Sequence, residues 1–512
     1  MRLLAVALCL IVPTLGRADD LATKIAVMMD APIYKPARWG ALVVDAQTGA
    51  TVYERDADRL FLPASVTKLY TCATALAELG PDHRFTTPVY RRGEVKDGVL
   101  AGDLILVASG DLTFGGRQGK EGKTLFADND HTYANSGLMN SAIVDANPVG
   151  ALDDLAKQVF ASGIKEIRGE VLIDDRLFPR ARSSGSGPDG VGPILVNDNV
   201  VDIIVTPGAA AGDPATVLLR PETAFVQADA DVRTVKDGTA AVTVEATGPC
   251  HFLVRGTVPL KAAPVVRIFS VDDPALYARA LLIEALRRVG VRVAASLHKP
   301  RRQDLPARDA YTHLPVAAEY QSELLADTIK VTLKVSHNLY ASTLPILVGL
   351  KHGTGTIDAG LRQQAKFFKG IGVEPGTLSF AGGAGGAPAD AATPRATVSL
   401  LRAMAKHPAA DAYFGALPIL GVDGTLAESV AKDSPARGKV RAKTGTLVWY
   451  DAMNDRSLLR SKALAGELET AKGTKLYFAL FLNDLPLKEG GTAGQQGKML
   501  GKICETIYAN GP

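Results

Sequence analysis

The chain has 512 residues, of which 47% are hydrophobic and 22% charged, and its formal net charge is +3. This length is too great for one ordinary core and predicts two or three folding units. The composition is that of a globular protein and excludes extensive disorder. A nearly neutral chain has no electrostatic reason to seek nucleic acid, so we predict no nucleic-acid partner.

The first 18 residues have the pattern of a secretory signal peptide. Arg2 provides a positive start, residues 3–15 are apolar but too few to span a bilayer with ease, and small residues precede a cleavage point after Ala18. The alternative is a buried N-terminal helix. No later segment is long and apolar enough to be a transmembrane anchor. We therefore predict an exported protein, periplasmic or extracellular, that is soluble after signal cleavage.

The predicted elements begin with a hairpin, because β-prone runs at 41–45 and 51–54 flank a glycine-containing turn. A helix is predicted to begin at Pro63 and to stop at Gly80. From about residue 90 to 300, short β-prone runs and turns dominate, with one clear helix at 273–289. This change in the predicted secondary structure indicates a middle region that differs from the two ends of the chain.

The last third of the chain returns to longer elements. Its pattern predicts helices at 319–335, near 398–406 and near 498–508, and strands at 438–447 and 475–482. Strands at both ends of the chain with helices between them favour an α+β domain that the middle region splits in sequence.

Cysteine and histidine give no sign of a cofactor. Beyond the leader only Cys72, Cys250 and Cys504 remain, so at most one disulfide can form. Cys72 falls inside the first predicted helix, where a packed small hydrophobe is expected. The eight histidines are scattered without ligand spacing. We predict neither a metal ion nor another cofactor.

The first of three motifs is Ser-Val-Thr-Lys at 65–68, near the start of a predicted helix. Residues three apart share a helix face, so the Ser65 hydroxyl and the Lys68 ammonium lie within reach of each other. A serine needs a base to become a nucleophile, and a lysine can be that base when burial or a neighbouring cation lowers its pKa. Alone, this pattern is common on solvated helix faces.

The second motif is Ser-His-Asn at 336–338, directly after the predicted helix 319–335. The Ser336 hydroxyl can relay a proton between base and leaving group, and the Asn338 amide can hold a substrate amide. Serine and asparagine at a helix end are more often simple caps. The motif gains weight only from its companions.

The third motif is Lys-Thr-Gly-Thr at 443–446, in the predicted strand that begins at 438. Lys443 offers a positive charge for a carboxylate, with the Thr444 and Thr446 hydroxyls beside it. Gly445 has no side chain, so a substrate backbone can approach the strand edge. These three motifs lie at a helix start, a helix end and a terminal strand. Their occurrence together in this order is specific, although each motif alone is common.

Together the motifs are the signature of the penicillin-recognising serine enzymes. More than half of the chain separates Ser65 from Ser336. A gap this long resembles the class C low-molecular-mass penicillin-binding proteins, the serine D-Ala-D-Ala carboxypeptidase/endopeptidase family, in which extra domains lie between the motifs. Stretches that resemble this family continue along the mature chain, among them 169–175, 197–202, 417–425 and 438–446.

The resemblance implies a fold. It predicts an α+β penicillin-binding, transpeptidase-like domain, an antiparallel sheet flanked by helices, built from residues 19–90 and 300–512. Residues 91–299 would form one or two inserted β-rich domains, with a possible smaller one at 195–265.

The resemblance also implies an activity on peptidoglycan stem peptides. Ser65 attacks the carbonyl between the two terminal D-alanines, and Lys68 accepts its proton. The backbone N–H groups of Ser65 and Thr446 bind the oxyanion. Ser336 and Lys443 complete proton transfer to the leaving D-alanine, whose carboxylate Lys443 and Thr446 hold. β-Lactam antibiotics are expected to acylate the same serine and to act as inhibitors.

Three stretches depart from the family pattern. His337 replaces the acidic character usual at the middle of the second motif, and we predict that it points away from the reaction. Residues 381–387 keep the glycines of the family's cleft loop but lose its polar and leucine side chains. The run 448–456 is longer and more polar than expected, and its Trp449 either lines the rim of the cleft or packs on the insertion.

Asp174 and Asp175 are further candidates for substrate binding. The resemblance allows them to meet the ammonium of a diamino acid in the stem peptide, whereas solvated carboxylates at a strand end are the simpler interpretation. Two other functions stay open: a β-lactam-hydrolysing serine enzyme, which needs fast deacylation, and a catalytically idle peptidoglycan-binding protein. The sequence indicates no particular oligomeric state.

Overall fold

The computed structural model describes residues 18–136, 141–301 and 304–512. The predicted leader, apart from Ala18, lies outside the described residues. The helices are, in chain order, α1 (Ala18–Met29), α2 (Thr67–Leu79), α3 (Gly150–Ala161), α4 (Pro274–Arg288), α5 (Leu325–Lys334), α6 (Asn338–Lys351), α7 (Ile357–Gly370), α8 (Pro394–Met404), α9 (Ala410–Gly415) and α10 (Ala493–Asn510). Within these ranges, none of the helices combines the length and the apolar character that crossing a membrane requires.

The strands are short in the middle region and long at the C-terminal end. They are β1 (Arg38–Asp45), β2 (Thr51–Arg55), β3 (Thr86–Arg92), β4 (Val95–Lys96), β5 (Val99–Leu100), β6 (Asp103–Val107), β7 (Glu166–Ile167), β8 (Val171–Asp174), β9 (Ala181–Arg182), β10 (Gly190–Val191), β11 (Val200–Thr206), β12 (Thr216–Arg220), β13 (Gln227–Val235), β14 (Ala241–Gly248), β15 (His251–Pro259), β16 (Val265–Ser270), β17 (Arg292–Val293), β18 (Val316–Gln321), β19 (Leu378–Ser379), β20 (Ala391–Ala392), β21 (Val440–Asp451), β22 (Arg456–Glu469) and β23 (Lys475–Pro486).

The main sheet is antiparallel and has the strand order β2-β1-β23-β22-β21. Along β23 the side chains alternate between its two faces, as the period of a strand requires. Ala479 and Phe481 pack in one core with helices α2, α5, α6 and α8. Phe478, Leu480 and Leu482 pack in a second core with α1 and α10. Helices thus cover both faces of an antiparallel sheet, and the predicted α+β fold is confirmed.

Helix α2 is the element that positions the first motif. A 3-10 turn at Ala64–Val66 leads directly into it, and Gly80, with φ of 92°, follows its last residue. The helix is buried over most of its length. Its residue Cys72 is a buried free thiol. Both predicted ends, Pro63 and Gly80, are confirmed to within a turn, because proline and positive-φ glycine mark them locally.

Two expectations about the last third of the chain were wrong. The segment predicted as one helix at 319–335 contains the end of strand β18 and the shorter helix α5. β18 pairs with β3, a partner far away in sequence that local periodicity does not reveal. The sequence also predicted two C-terminal strands, and the structure contains a third between them, β22, which pairs with both β21 and β23.

The middle region is rich in short strands. β3 and β18 lie side by side in a sheet with β6 and β8, so the chain leaves and re-enters the main fold at neighbouring strands. Two further three-stranded sheets, β12-β11-β16 and β13-β15-β14, begin within the range 195–265 where a smaller β-rich unit was expected, but β16 runs beyond that range to Ser270. Helices α3 and α4 share one core with these strands. The domain limits 91–299 and 195–265 stay predictions.

Candidate active site

Ser65 and Lys68 lie together where the 3-10 turn meets helix α2. The Lys68 amine is 3.0 Å from the Ser65 hydroxyl oxygen. It also donates to Asn338 Oδ1 and to the carbonyl oxygen of Ala384, each at 2.7 Å. A lysine has three donors and no acceptor when charged, so these partners hold the amine directly beside the serine. Loss of one proton leaves a lone pair that can accept the proton of Ser65.

The electrostatics of the site favour such a neutral lysine. Burial lowers the pKa of Lys68 to about 7, and interactions with Cys72 and Asp390 oppose this only in part. Burial, together with the neighbouring charge of Lys68, also holds the pKa of Lys443 well below its ordinary range. A general base is most effective when its pKa lies near the working pH.

Ser336 and Asn338 occupy the junction between helices α5 and α6. Ser336 has a φ of 63°, a left-handed conformation that is uncommon for a residue with a side chain. Its hydroxyl oxygen lies 2.9 Å from the Lys443 amine, and its carbonyl oxygen accepts a hydrogen bond from the Tyr133 hydroxyl. Asn338, the first residue of α6, binds Lys68 through Oδ1 and donates from Nδ2 to the carbonyl oxygen of Ser186.

Strand β21 brings the third motif to the same place. Lys443 is fully buried and donates to Ser336 Oγ. The Thr444 hydroxyl is bound to the Thr425 hydroxyl at 2.8 Å. A Cβ atom at Gly445 would overlap the carbonyl oxygen of Pro63, so only glycine lets the strand lie this close to the turn that carries Ser65. The structure therefore joins residues of all three motifs in one site.

His337 faces away from the Ser65–Lys68 pair, as predicted. It is fully buried, its Nδ1 accepts from the backbone N–H of Tyr340, and its ring stacks on Tyr340 at 3.7 Å between centroids. Its Nε2 lies 3.5 Å from Asp198. Burial lowers the pKa of His337 despite this carboxylate. A neutral histidine here links the second motif to the middle region.

Behind His337 lies a buried ion-pair network that sequence reasoning missed. Arg117 binds Asp130 and Asp198, each at 2.7 Å. His131 lies between Asp198, at 2.8 Å, and Asp202, at 2.6 Å. All five side chains are nearly inaccessible. The one sequence signal was the stretch 197–202, which the family resemblance singled out without assigning it a role.

This network contains a set of potential metal ligands, Asp130, His131 and Asp198, which their spacing in the sequence did not indicate. Arg117 already binds both carboxylates. An arginine is always charged and would repel a cation at this point. The donor set therefore fits an ion-pair network better than a metal centre.

Asp174 and Asp175 are not joined to the three motifs by any contact in the described part of the chain. Asp174 is buried, binds Arg176 at 2.7 Å and accepts from the Tyr311 hydroxyl at 2.8 Å. The Asp175 carboxylate lies 3.3 Å from Arg180. Both carboxylates already have cationic partners, which does not favour the substrate-binding role predicted for them.

Trp449 lies on the hairpin formed by β21 and β22, beyond the third motif. Its side chain is partly exposed, and the Arg460 guanidinium lies 4.8 Å from its ring centroid. This contact within the hairpin agrees with packing on the insertion, one of the two roles considered for it.

The glycine-rich loop 381–387 packs against a loop of the middle region. Ala384 supplies the carbonyl oxygen that binds Lys68, and a Cβ atom at Gly386 would overlap the carbonyl oxygen of Ser184. Ser183 in the same middle-region loop is hydrogen-bonded to Ser342 on α6 at 2.9 Å. The glycines therefore permit a close backbone approach that holds the Lys68 acceptor in place.

Replacing Gly386 by alanine is expected to slow acylation of Ser65 by about 100-fold, because a displacement of about 1 Å near the reacting groups is enough for such a loss. The measurement is the second-order rate constant for acylation by benzylpenicillin. Gly370→Ala is the matched control, since a Cβ atom there meets no neighbour. Equal rates in Gly386→Ala and wild type would show that the loop contact does not matter.

The fold and the three assembled motifs define a penicillin-recognising serine enzyme. Residues 21–500 match the D-Ala-D-Ala carboxypeptidase 3 (S13) family, and the chain belongs to this family. The family consists of serine peptidases, so the resemblance to low-molecular-mass penicillin-binding proteins is confirmed.

Known relatives agree with this assignment. The D-alanyl-D-alanine carboxypeptidase of Actinomadura sp. (strain R39) is 31% identical over 468 residues, which cover 86% of this chain and 78% of the relative. The D-alanyl-D-alanine carboxypeptidase DacB of Haemophilus influenzae is 24% identical over 87% of this chain and 85% of its own length. The crystal structure of penicillin binding protein 4 (dacB) from H. influenzae has the same fold, with a TM-score of 0.68, 20% identity and coverage of 96% of this chain and 99% of the other.

Proposed function

We propose that this chain hydrolyses the terminal D-Ala-D-Ala bond of peptidoglycan stem peptides through an acyl-enzyme on Ser65. The observation that carries the proposal is the pair of lysine–serine contacts, Lys68 with Ser65 and Lys443 with Ser336, held in one buried site. A Haemophilus relative of the same fold has been crystallised with a β-lactam. We infer that β-lactams acylate Ser65 in this chain too.

The acylation step begins with neutral Lys68. Its amine takes the proton of Ser65 while Oγ attacks the carbonyl carbon between the two D-alanines. The oxyanion forms between the backbone N–H groups of Ser65 and Thr446, which the close approach at Gly445 makes possible. Collapse breaks the C–N bond, and the proton that Lys68 took from Ser65 passes to the leaving amine through Ser336, which Lys443 holds by its hydrogen bond. Free D-alanine departs, and an ester remains on Ser65.

Deacylation needs one water molecule. Lys68, neutral again after acylation, removes a proton from this water as the water oxygen attacks the ester, and it passes that proton to Ser65 Oγ as the C–O bond breaks and the shortened peptide leaves. Within the described residues no carboxylate is hydrogen-bonded to Ser65 or Lys68. Asp390, which acts on Lys68 by charge alone, accepts from the backbone N–H groups of Ala381 and Ala387. This arrangement favours a slowly released β-lactam adduct over rapid β-lactam hydrolysis.

The place of action is also part of the proposal. Residues 1–18 act as a signal peptide, and the mature protein works outside the cytoplasm, where stem peptides of the cell wall are found. The charged start, the short apolar stretch and the small residues before position 19 support this. N-terminal sequencing of the secreted or periplasmic protein is expected to begin at Asp19.

The test is intact-protein mass spectrometry after incubation with benzylpenicillin, with Ser65→Ala beside wild type. We expect one stable adduct on wild type and none on the variant. Release of D-alanine from a peptide that ends in D-Ala-D-Ala is expected to be lost in the same variant.

Other outcomes identify the alternatives. An adduct that disappears within minutes, with hydrolysed penicillin as product, would favour a β-lactam-hydrolysing enzyme. No adduct on wild type, together with binding of the peptide but no release of D-alanine, would favour a catalytically idle wall-binding protein.

A further inference from the structure

A third lysine, Lys462, lies at the end of the candidate site and has no role in the mechanism above. It belongs to β22, where it is the direct cross-strand partner of Thr446 on β21. Its amine lies 2.8 Å from the Thr446 hydroxyl oxygen. The helix α10 approaches it closely, since a Cβ atom at Gly497 would lie 3.2 Å from Lys462 Cε. The side chain is therefore confined between β21 and α10.

The direction of this hydrogen bond is fixed by chemistry. A charged lysine can only donate, so the Thr446 oxygen must accept. The proton of the Thr446 hydroxyl is then free to point to a second acceptor. In the proposed reaction that acceptor is a carboxylate oxygen of the terminal D-alanine, which Thr446 is expected to hold.

Among the described residues, no carboxylate forms an ion pair with Lys462 that would neutralise its positive charge. On β21 the ionisable neighbour is Lys443, whose own pKa Lys462 helps to lower, and an amine cannot neutralise an ammonium. From β23 its neighbour is Leu482, and Asp484 further along is bound by Arg460 at 2.6 Å. Burial lowers the pKa of Lys462 to about 8, although part of its side chain still faces solvent. An unpaired cation in such a place is stabilised by an anion that enters from solvent.

We infer that Lys462 is a specificity-determining positioning residue: it orients the Thr446 hydroxyl as a donor and adds positive charge where the substrate's C-terminal carboxylate binds. The inference rests on the proposed function, because that function places the carboxylate at Thr446. Lys443 then serves to bind Ser336 and to support proton transfer to the leaving group. Recognition of the free carboxylate of the substrate then depends on residues of two strands, β21 and β22.

The test compares two acylating probes that differ only in the carboxylate, benzylpenicillin and its methyl ester. Lys462→Met is expected to lower the second-order acylation rate constant for benzylpenicillin by about 10- to 100-fold, the range for a hydrogen bond to a charged group. The rate constant for the methyl ester should change by less than about twofold, since the ester has no charge to lose. Lys462→Arg should retain most of the wild-type rate. Lys502→Met on α10, an exposed lysine away from the site, is the matched control.

The pH profile of kcat/KM on a D-Ala-D-Ala peptide is a second measurement. If Lys462 had a purely structural role, its substitution would not shift this profile. Wild type should gain activity as pH rises through about 7, where Lys68 becomes neutral, and lose it through about 8, where Lys462 loses its charge. In Lys462→Arg the descending limb should move to higher pH, because a guanidinium stays protonated.

The outcomes separate this inference from the proposed function. Equal losses for benzylpenicillin and its ester in Lys462→Met, or no loss for either, would overturn the role of Lys462. A wild-type protein that benzylpenicillin does not acylate at all would instead overturn the proposed function.

Discussion

Replacing Lys68 by arginine is expected to slow acylation of Ser65 by benzylpenicillin by about 10²–10⁴-fold, the usual contribution of a positioned general base. Arginine keeps the positive charge and can reach the serine, but it cannot lose its proton at any working pH. The wild-type rate should rise as pH passes through about 7, because burial lowers the pKa of Lys68 to that value and the neutral form accumulates above it. The variant should have no such rise.

The control variants distinguish lost chemistry from lost folding. A buried, permanently charged guanidinium can destabilise this site, so Lys68→Met, which removes the base without a buried charge, accompanies it. Both variants should lose acylation to a similar extent. Lys366→Arg, at an exposed position on α7, should leave the rate and its pH dependence unchanged. A Lys68→Arg protein that acylates at the wild-type rate at pH 8 would show that another group is the base.

The pairing of Ser65 with Lys68 could be predicted from sequence because it depends on the geometry of one helical turn. Pro63 and Gly80 mark the ends of α2, and positions three apart on a helix meet whatever surrounds them. This feature is local, so the sequence contains all the information needed to recognise it. At Gly445 the sequence predicted the approach of a substrate backbone, whereas in the structure the carbonyl oxygen of Pro63, far away in sequence, approaches there.

Two features of the site depend instead on long-range pairing. The position of Lys462 follows from β22, a strand that sequence patterns did not reveal, and from its register with β21. The network around Arg117 joins Asp130, Asp198 and Asp202, which lie in separate segments of the middle region. No periodicity connects such residues. Only the fold of the middle region shows that they meet behind the second motif.

The same long-range pairing explains the error at 319–335. The apolar spacing in this segment is compatible with one helix, but residues up to Gln321 pair with β3. Hydrogen bonds to β3, a strand at the start of the middle region, outweigh local helix propensity there. The consequence is functional, because the shorter α5 begins after this strand and leads directly to Ser336.

Replacing Arg117 by leucine is expected to lower the free energy of unfolding by about 3–5 kcal/mol, the cost of breaking a buried ion pair by removing one partner. The loss leaves Asp130 and Asp198 without their common cation. Acylation should fall as well, because Tyr340, which contacts both Arg117 and Asp198, lies in the helix that begins at Asn338. Urea unfolding and the acylation rate constant for benzylpenicillin measure the two effects. Arg168→Leu, which removes an exposed arginine, should change neither.

The network also predicts how stability depends on pH. Burial alone would lower the pKa of His131, but the charges of Asp202 and Asp130 and its hydrogen bonds outweigh burial and raise this pKa to about 10. Since the folded pKa is above the ordinary value of about 6.5, this stabilisation is complete below pH 6.5 and is lost as pH rises towards 10. Arg117 and His131, acting against burial, hold the pKa of Asp130 and Asp198 below the ordinary range. Their contribution is therefore present above about pH 4 and is lost as pH falls further.

The free energy of unfolding of the wild type should therefore fall between pH 6.5 and 10, and the slope should be smaller in Asp202→Asn, which removes the carboxylate 2.6 Å from His131 Nδ1. Asp202 also binds Arg220 at 2.8 Å, so Arg220→Lys accompanies it to test whether that second pair affects the slope. An equal slope in wild type and Asp202→Asn would mean that His131 does not carry the charge assigned to it. A smaller slope in Asp202→Asn alone would establish His131 as the cation that completes the support behind Ser336 and Asn338.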